Sequence, residues 1–279
     1  MTFAGITPAN VPIMPRSDGP GREGMTGSFP LPRERTLLLA SLISLAIGGW
    51  LLVIRQSTMM SATMPAGLTM GMRAPLFLTM WVAMMAAMMF PASAPMILMF
   101  DRISSGKRQR GQAFVPTWVF ITAYLLVWTV FGGLTYLAAV GLDRLAGPAT
   151  GWTESAIRLG GILLMLAGVY QFTPLKHVCL SKCRTPLGFI LGSWRDGYTG
   201  AFRMVLEHGV YCLGCCWFLF VILFPLGVMN VPAMVLLAAL IFAEKSFNLG
   251  QRIARIAGVA LLVYGAVAFF FPGALRTMI

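Results

Sequence analysis

Apolar stretches long enough to cross a lipid bilayer recur along this chain, and that recurrence restricts the folds open to it. A hydrocarbon core of about 30 Å takes about 20 helical residues to cross. Seven such stretches are read, at 36–54, 75–100, 114–140, 155–172, 209–229, 233–242 with flanking residues, and 256–271. The sixth is short, and Glu244 and Lys245 interrupt its end. Composition agrees with a lipid environment. The chain is 58% hydrophobic and only 11% charged, with a mean hydropathy of +0.79, well outside the range of a soluble globular domain. The sequence therefore predicts an all-α fold, a polytopic transmembrane helix bundle of about seven spans.

Basic residues set its expected orientation, because loops rich in Lys and Arg stay on the cytoplasmic side. Arg16, Arg22, Arg33 and Arg35 precede the first span, and Arg102, Lys107, Arg108 and Arg110 follow the second. Lys176, Lys182, Arg184, Arg195 and Arg203 follow the fourth, and Lys245, Arg252 and Arg255 follow the sixth. Only Arg55, Arg73, Arg144, Arg158 and Arg276 fall on or near the other side. The pattern predicts the N-terminus inside, the C-terminus outside, and a multi-pass protein of the bacterial cytoplasmic (inner) membrane. The net charge of +12 is divided among loops, which fits membrane topology and anionic lipid and excludes a nucleic-acid-binding patch. Residues 1–35 are rich in Pro, Gly and Arg without apolar periodicity and are expected to be a disordered cytoplasmic tail. They lack the early apolar core of a signal peptide. Residues 36–279 form the expected transmembrane domain, with a cytoplasmic loop at about 174–208.

All five cysteines and both histidines lie between positions 177 and 216. His177, Cys179 and Cys183 fall in the basic loop; His208, Cys212, Cys215 and Cys216 enter the fifth span. The second group stands at i, i+4, i+7 and i+8, which places an imidazole and three sulfurs on one helical face. The cytoplasm keeps thiols reduced, so these side chains are available for a soft or borderline metal ion rather than for structural disulfides. Loop and helix are expected to meet around one ion. The competing readings are helix packing by small apolar cysteines and a redox pair formed by Cys212 and Cys215.

Twenty methionines supply a second pattern. Met80, Met84 and Met88 repeat every four residues on the second span, as do Met85 and Met89. Their thioethers form a stripe, a candidate path for Cu(I), since neutral thioethers prefer that ion to harder ones. Packing is the plainer explanation for such a stripe. Pro91 and Pro95 are expected to kink this helix.

The chain resembles the prokaryotic DUF2182 family, predicted metal-binding integral membrane proteins. The resemblance rests on Met88-Met89-Phe90-Pro91 through Pro95-Met96, and on Tyr170-Gln171-Phe172-Thr173-Pro174-Leu175-Lys176 running into Cys179, Cys183, Arg184 and Pro186. It continues in His208-Gly209-Val210-Tyr211-Cys212-Leu213-Gly214-Cys215-Cys216-Trp217, Gly227-Val228-Met229-Asn230 and Glu244-Lys245. Metal binding is what the resemblance implies; it names neither a metal nor a reaction.

Among the remaining polar residues, Glu207 adjoins His208 and is a candidate to orient it, and Glu244 is a candidate outer partner of the cysteine site. Glu244 and Lys245 are alternatively expected to reach back to the interface. No Ser-His-Asp set, phosphate-binding loop or carboxylate pair marks a hydrolase or a nucleotide-driven pump. The expected function is the handling of a thiophilic ion by transport, relay or delivery, Cu(I) favoured and zinc behind it, with a metallochaperone or metalloenzyme as partner. A membrane thiol-disulfide oxidoreductase and a non-catalytic assembly or scaffold subunit are the alternatives.

Overall fold

The computed structural model describes residues 33–61, 68–69, 71–112, 114–146, 154–195 and 197–272. Its elements are all helical among these residues. They run α1 (Arg33–Ser61), α2 (Ala74–Gln109), α3 (Thr117–Ala146), α4 (Glu154–Tyr170), α5 (Pro174–Arg184), α6 (Pro186–Ser193), α7 (Gly197–Val221), α8 (Leu223–Leu226), α9 (Val231–Ser246) and α10 (Gly250–Phe270). The tail expected at 1–35 lies outside the described residues except for its last three positions, which belong to α1.

Five helical runs are long and apolar enough to cross a membrane: α1, α2, α3, the continuous α7–α8 run and α10. Of the seven expected spans, the fourth and sixth fall short. The fourth corresponds to α4, only 17 residues long, which is bent by 64° against α5 and makes a sixth candidate only if that pair counts as one broken span. The sixth corresponds to α9, 16 residues ending at Ser246.

α2 is the central helix. Of its apolar window 56% is buried within the protein, against 22% for α1 and α10 and 17% for α3. It continues through Pro91 and Pro95 as one helical segment of 36 residues, although each proline leaves the carbonyl four positions before it without its helical donor. Met85, Met88, Met89, Phe90, Ile97 and Phe100 on α2 are almost wholly buried, in one core with Tyr124 and Trp128 of α3. Large apolar residues such as Leu137, Leu236 and Ile256 remain exposed on the outer faces of the helices.

Two further helices meet through missing side chains. A Cβ added at Gly161 of α4 would lie 2.7 Å from the Gly265 carbonyl oxygen of α10, and one at Gly265 would lie 2.7 Å from the Gly161 oxygen. Gly168 and Gly258 repeat the arrangement one heptad along, where a Cβ at Gly168 would come within 2.9 Å of the Gly258 oxygen. Close approach of small residues is the usual means of helix association where apolar burial gives no preference for protein over lipid.

The segment expected to be a loop at 174–208 is helical, formed by α5, α6 and the start of α7. Its signal is local. Thr173 caps α5 by accepting a hydrogen bond from the Lys176 backbone nitrogen, and Pro174 takes the first turn, where its missing N–H is not needed. Asn230 caps α9 in the same way, its side chain accepting from Ala233 N at 3.1 Å.

Candidate metal centre

Because 174–184 is a helix, its side chains sort by face. Lys176, Cys179, Leu180 and Cys183 stand at i, i+3, i+4 and i+7, and α5 turns this stripe toward α7. Lys176, Cys179 and Leu180 are buried; Cys183 is half-buried. His177 lies off the stripe, about 160° round the helix from Cys179 by the 3.6-residue period, and is half-exposed. The structure does not bring it to the other candidates. On α7 the expected face forms, and His208, Cys212, Cys215 and Cys216 are all buried.

The two stripes meet. Cys183 Sγ lies 4.0 Å from Cys215 Sγ. Cys179 nests against Gly214, where an added Cβ would lie 2.7 Å from its sulfur. Cys215 and Cys216 direct their thiols to the Cys212 carbonyl oxygen at 3.1 Å and 2.8 Å. The Tyr170 hydroxyl donates to the Gly214 carbonyl, fixing α4 to the same turn of α7. All five cysteines are free thiols.

Cys212 is the polar hub. Lys245 Nζ donates to its sulfur at 2.9 Å, and the Tyr124 hydroxyl stands 3.0 Å from it. Tyr124 is itself 2.8 Å from Ser93 Oγ on α2. Lys245 is buried; it does not reach back to an interface. Lys245, Tyr124 and Ser93 were not among the candidates read from the sequence. Their one signal there was Lys245, a charge at the end of an apolar run, which ordinarily marks a snorkelling side chain.

Beside this hub lies a cavity of about 170 Å³, lined by Cys183, Arg184, His208, Lys245, Ser93 and Met96 among others. His208 is 2% exposed and packs against the rings of Phe120, Tyr124 and Phe189 at 5.8, 6.1 and 5.4 Å between centroids. Its Nδ1 is buried with no hydrogen-bond partner among the described residues. A buried polar atom left unpaired is costly.

The two carboxylates expected to support the site do other work. Glu207 faces Arg203 at 3.7 Å and Arg195 at 3.9 Å rather than His208, because neighbours on a helix point about 100° apart. Glu244 pairs with Lys176 at 2.7 Å, both fully buried, and accepts from Gln171 Nε2 at 3.3 Å. It therefore ties α9 to α5 and does not touch the cysteines. Arg184 completes the clamp by donating to the carbonyl oxygens of Phe247 and Asn248 at 2.7 and 2.8 Å. The stripe Met80, Met84, Met85, Met88 and Met89 is buried along α2. Among the described residues, no group of three or more His, Cys, Asp or Glu side chains is arranged to hold a metal ion; the closest thiol contact is a pair.

These features define an all-helical protein with several apolar helices of spanning length and a thiol-rich interior. The chain belongs to the PpoB2 family, described as copper chaperone, whose model matches residues 78–268, the region on which the DUF2182 resemblance also rests. No curated protein and no solved structure matches the chain.

Proposed function

We propose that the protein handles copper as Cu(I) in the bacterial cytoplasmic membrane, taking up the ion between the Cys183 and Cys215 sulfurs, with Cys212 drawn in as a further ligand on binding, and passing it to a metallochaperone or metalloenzyme. The observation that carries this reading is the meeting of α5 and α7 thiols beside a cavity into which a buried, unpartnered His208 is placed, in a chain of a copper chaperone family. Two sulfurs bound to one ion at roughly 2.3 Å each stand about 3.8 Å apart in a tetrahedral site and about 4.6 Å apart in a linear one. The Cys183–Cys215 separation of 4.0 Å falls between them. Thiolates and imidazole suit copper and zinc alike, and the softer thiolate set favours Cu(I).

Elemental analysis of the protein purified in mild detergent tests the reading. Copper should be recovered with the wild type, and Cys183→Ser and Cys215→Ser should each reduce it about tenfold or more, since loss of even a supporting partner costs 10–100-fold. His177→Ala should leave it unchanged. Metal-free wild type with Cys212 and Cys215 cycling between thiol and disulfide would replace copper handling by thiol oxidoreduction.

The membrane arrangement belongs to the same proposal. Seven spans, with α4 and α9 as the short fourth and sixth, put residues 1–35 and the cysteine centre toward the cytoplasm and the C-terminus outside. The bend between α4 and α5 and the buried clamp of Lys176 with Glu244 support two short helices whose ends are closed by each other. Reporter fusions after Arg110 should read cytoplasmic and fusions at Ile279 external; a cytoplasmic C-terminus would remove α4 or α9 from the spans.

A further inference from the structure

A second group of soft ligands lies away from the cysteines. Met72, Met80, Met84 and Met229 line one crevice of about 10 Å³ together with Phe77 and Trp81. They come from three parts of the chain: the turn before α2, α2 itself, and the turn between α8 and α9. Met72, Met80 and Met84 are at most 9% exposed. Met80 and Met84 share a helical face by their i, i+4 spacing, whereas Met72 and Met229 reach it only through the fold.

Both turns have a glycine-dependent backbone beside the methionine. Gly71 adopts a positive φ of 66° and Gly227 one of 93°, which side-chain-bearing residues rarely take. The Met72 backbone donates to Thr69 O at 3.1 Å, and Asn230 N donates to Gly227 O at 2.9 Å, closing the turn that carries Met229. Trp81 spends its indole N–H on the Trp128 carbonyl at 3.0 Å, so what it offers the crevice is its ring.

Size and chemistry restrict the occupant. A crevice of this volume holds about one water-sized particle, which excludes an organic ligand or a hydrated ion. Among the described residues no charged or titratable side chain lines it, which disfavours a hard divalent cation needing oxygen ligands. Four methionines lining one crevice beside an aromatic ring suit a bare, soft, monovalent cation. We propose that Met72, Met80, Met84 and Met229 form a thioether site for Cu(I), or Ag(I) in its place, distinct from the cysteine centre. Met80 and Met96, which lines the cysteine-side cavity, are sixteen residues apart on α2, about 24 Å at 1.5 Å per residue. Thioethers bind without losing a proton, so the ion leaves this site by ligand exchange alone, while Met85, Met88 and Met89 are buried on the stretch between. The inference rests on the copper reading above, and supplies that reading with a low-affinity station.

The test counts Ag(I) bound per full-length protein in detergent. Wild type is expected to bind two equivalents, the Met72→Leu/Met80→Leu/Met84→Leu/Met229→Leu variant one, and Cys183→Ser/Cys215→Ser also one, at the methionines. Leu matches Met in volume and apolarity, so folding should survive. Should the fourfold variant fail to fold, Met72→Leu/Met229→Leu alters only the two turns and should weaken the second equivalent at least tenfold. Two undiminished equivalents in either folded methionine variant would overturn the thioether site and leave the cysteine reading standing. An Ag(I) equivalent that is lost with the methionines while the cysteine variant binds as wild type would support the site and count against the cysteine centre.

Discussion

Lys176→Met is expected to lower stability by about 3–5 kcal/mol, the usual result of removing one partner from a buried ion pair. Lys176 Nζ and Glu244 Oε2 are 2.7 Å apart with side chains only 1% and 2% exposed. Once the ammonium is gone, the carboxylate keeps, among the described residues, the hydrogen bond from Gln171 Nε2 at 3.3 Å, a neutral donor that cannot balance its charge. Replacing both partners, Lys176→Met with Glu244→Leu, should restore most of the loss, because neither partner is then left as an unpaired buried charge. Thermal unfolding in detergent, followed by exposure of the buried thiols, reads both variants. An exposed pair is the control: Arg158→Ala breaks a 3.9 Å contact to Glu154 between side chains 52% and 65% exposed and should change little. A Lys176→Met protein as stable as the wild type would show that Lys176 and Glu244 do not hold α5 to α9.

Cys212→Ala should damage the protein twice. It removes a candidate copper ligand, and it leaves the buried Lys245 Nζ without the sulfur that lies 2.9 Å from it, whereas the Tyr124 hydroxyl, 3.0 Å from that sulfur, keeps Ser93 Oγ at 2.8 Å. An unsatisfied buried group costs about 1–3 kcal/mol, and more when charged. Cys183→Ser, at a half-buried position facing the cavity, should lose copper with little loss of stability. Adding Lys245→Met to Cys212→Ala should recover stability but not copper. Stability that stays low in the double variant would mean that Lys245 is not what Cys212 holds in place.

Patterns that depend on neighbours in the sequence were legible before the fold. The apolar runs of α1, α2, α3, α7 and α10 give helices of spanning length, and the His208, Cys212, Cys215 and Cys216 spacing gives one buried face of α7. Both follow from the 3.6-residue period. The Thr173-Pro174 pair also carried a local signal, an N-cap followed by proline in the first turn, and the run of polar and basic residues after it masked a helix as a loop. Reading it as a helix would have separated His177 from Cys179 and Cys183 by face alone.

What the sequence by itself determined is the apolar helices of spanning length and which residues share a face. Only the tertiary structure decided which faces meet. Glu207 turns to Arg195 and Arg203, Glu244 to Lys176, and Lys245 to Cys212 rather than to water. Met229 joins Met72, Met80 and Met84 although α3 to α8 intervene between them in the chain. The reason is geometric. Helical periodicity fixes the angle of a side chain about its own axis, but the rotation and depth of each helix against its neighbours come from packing, here from glycine contacts such as Gly161 with Gly265 and from the buried Lys176–Glu244 pair.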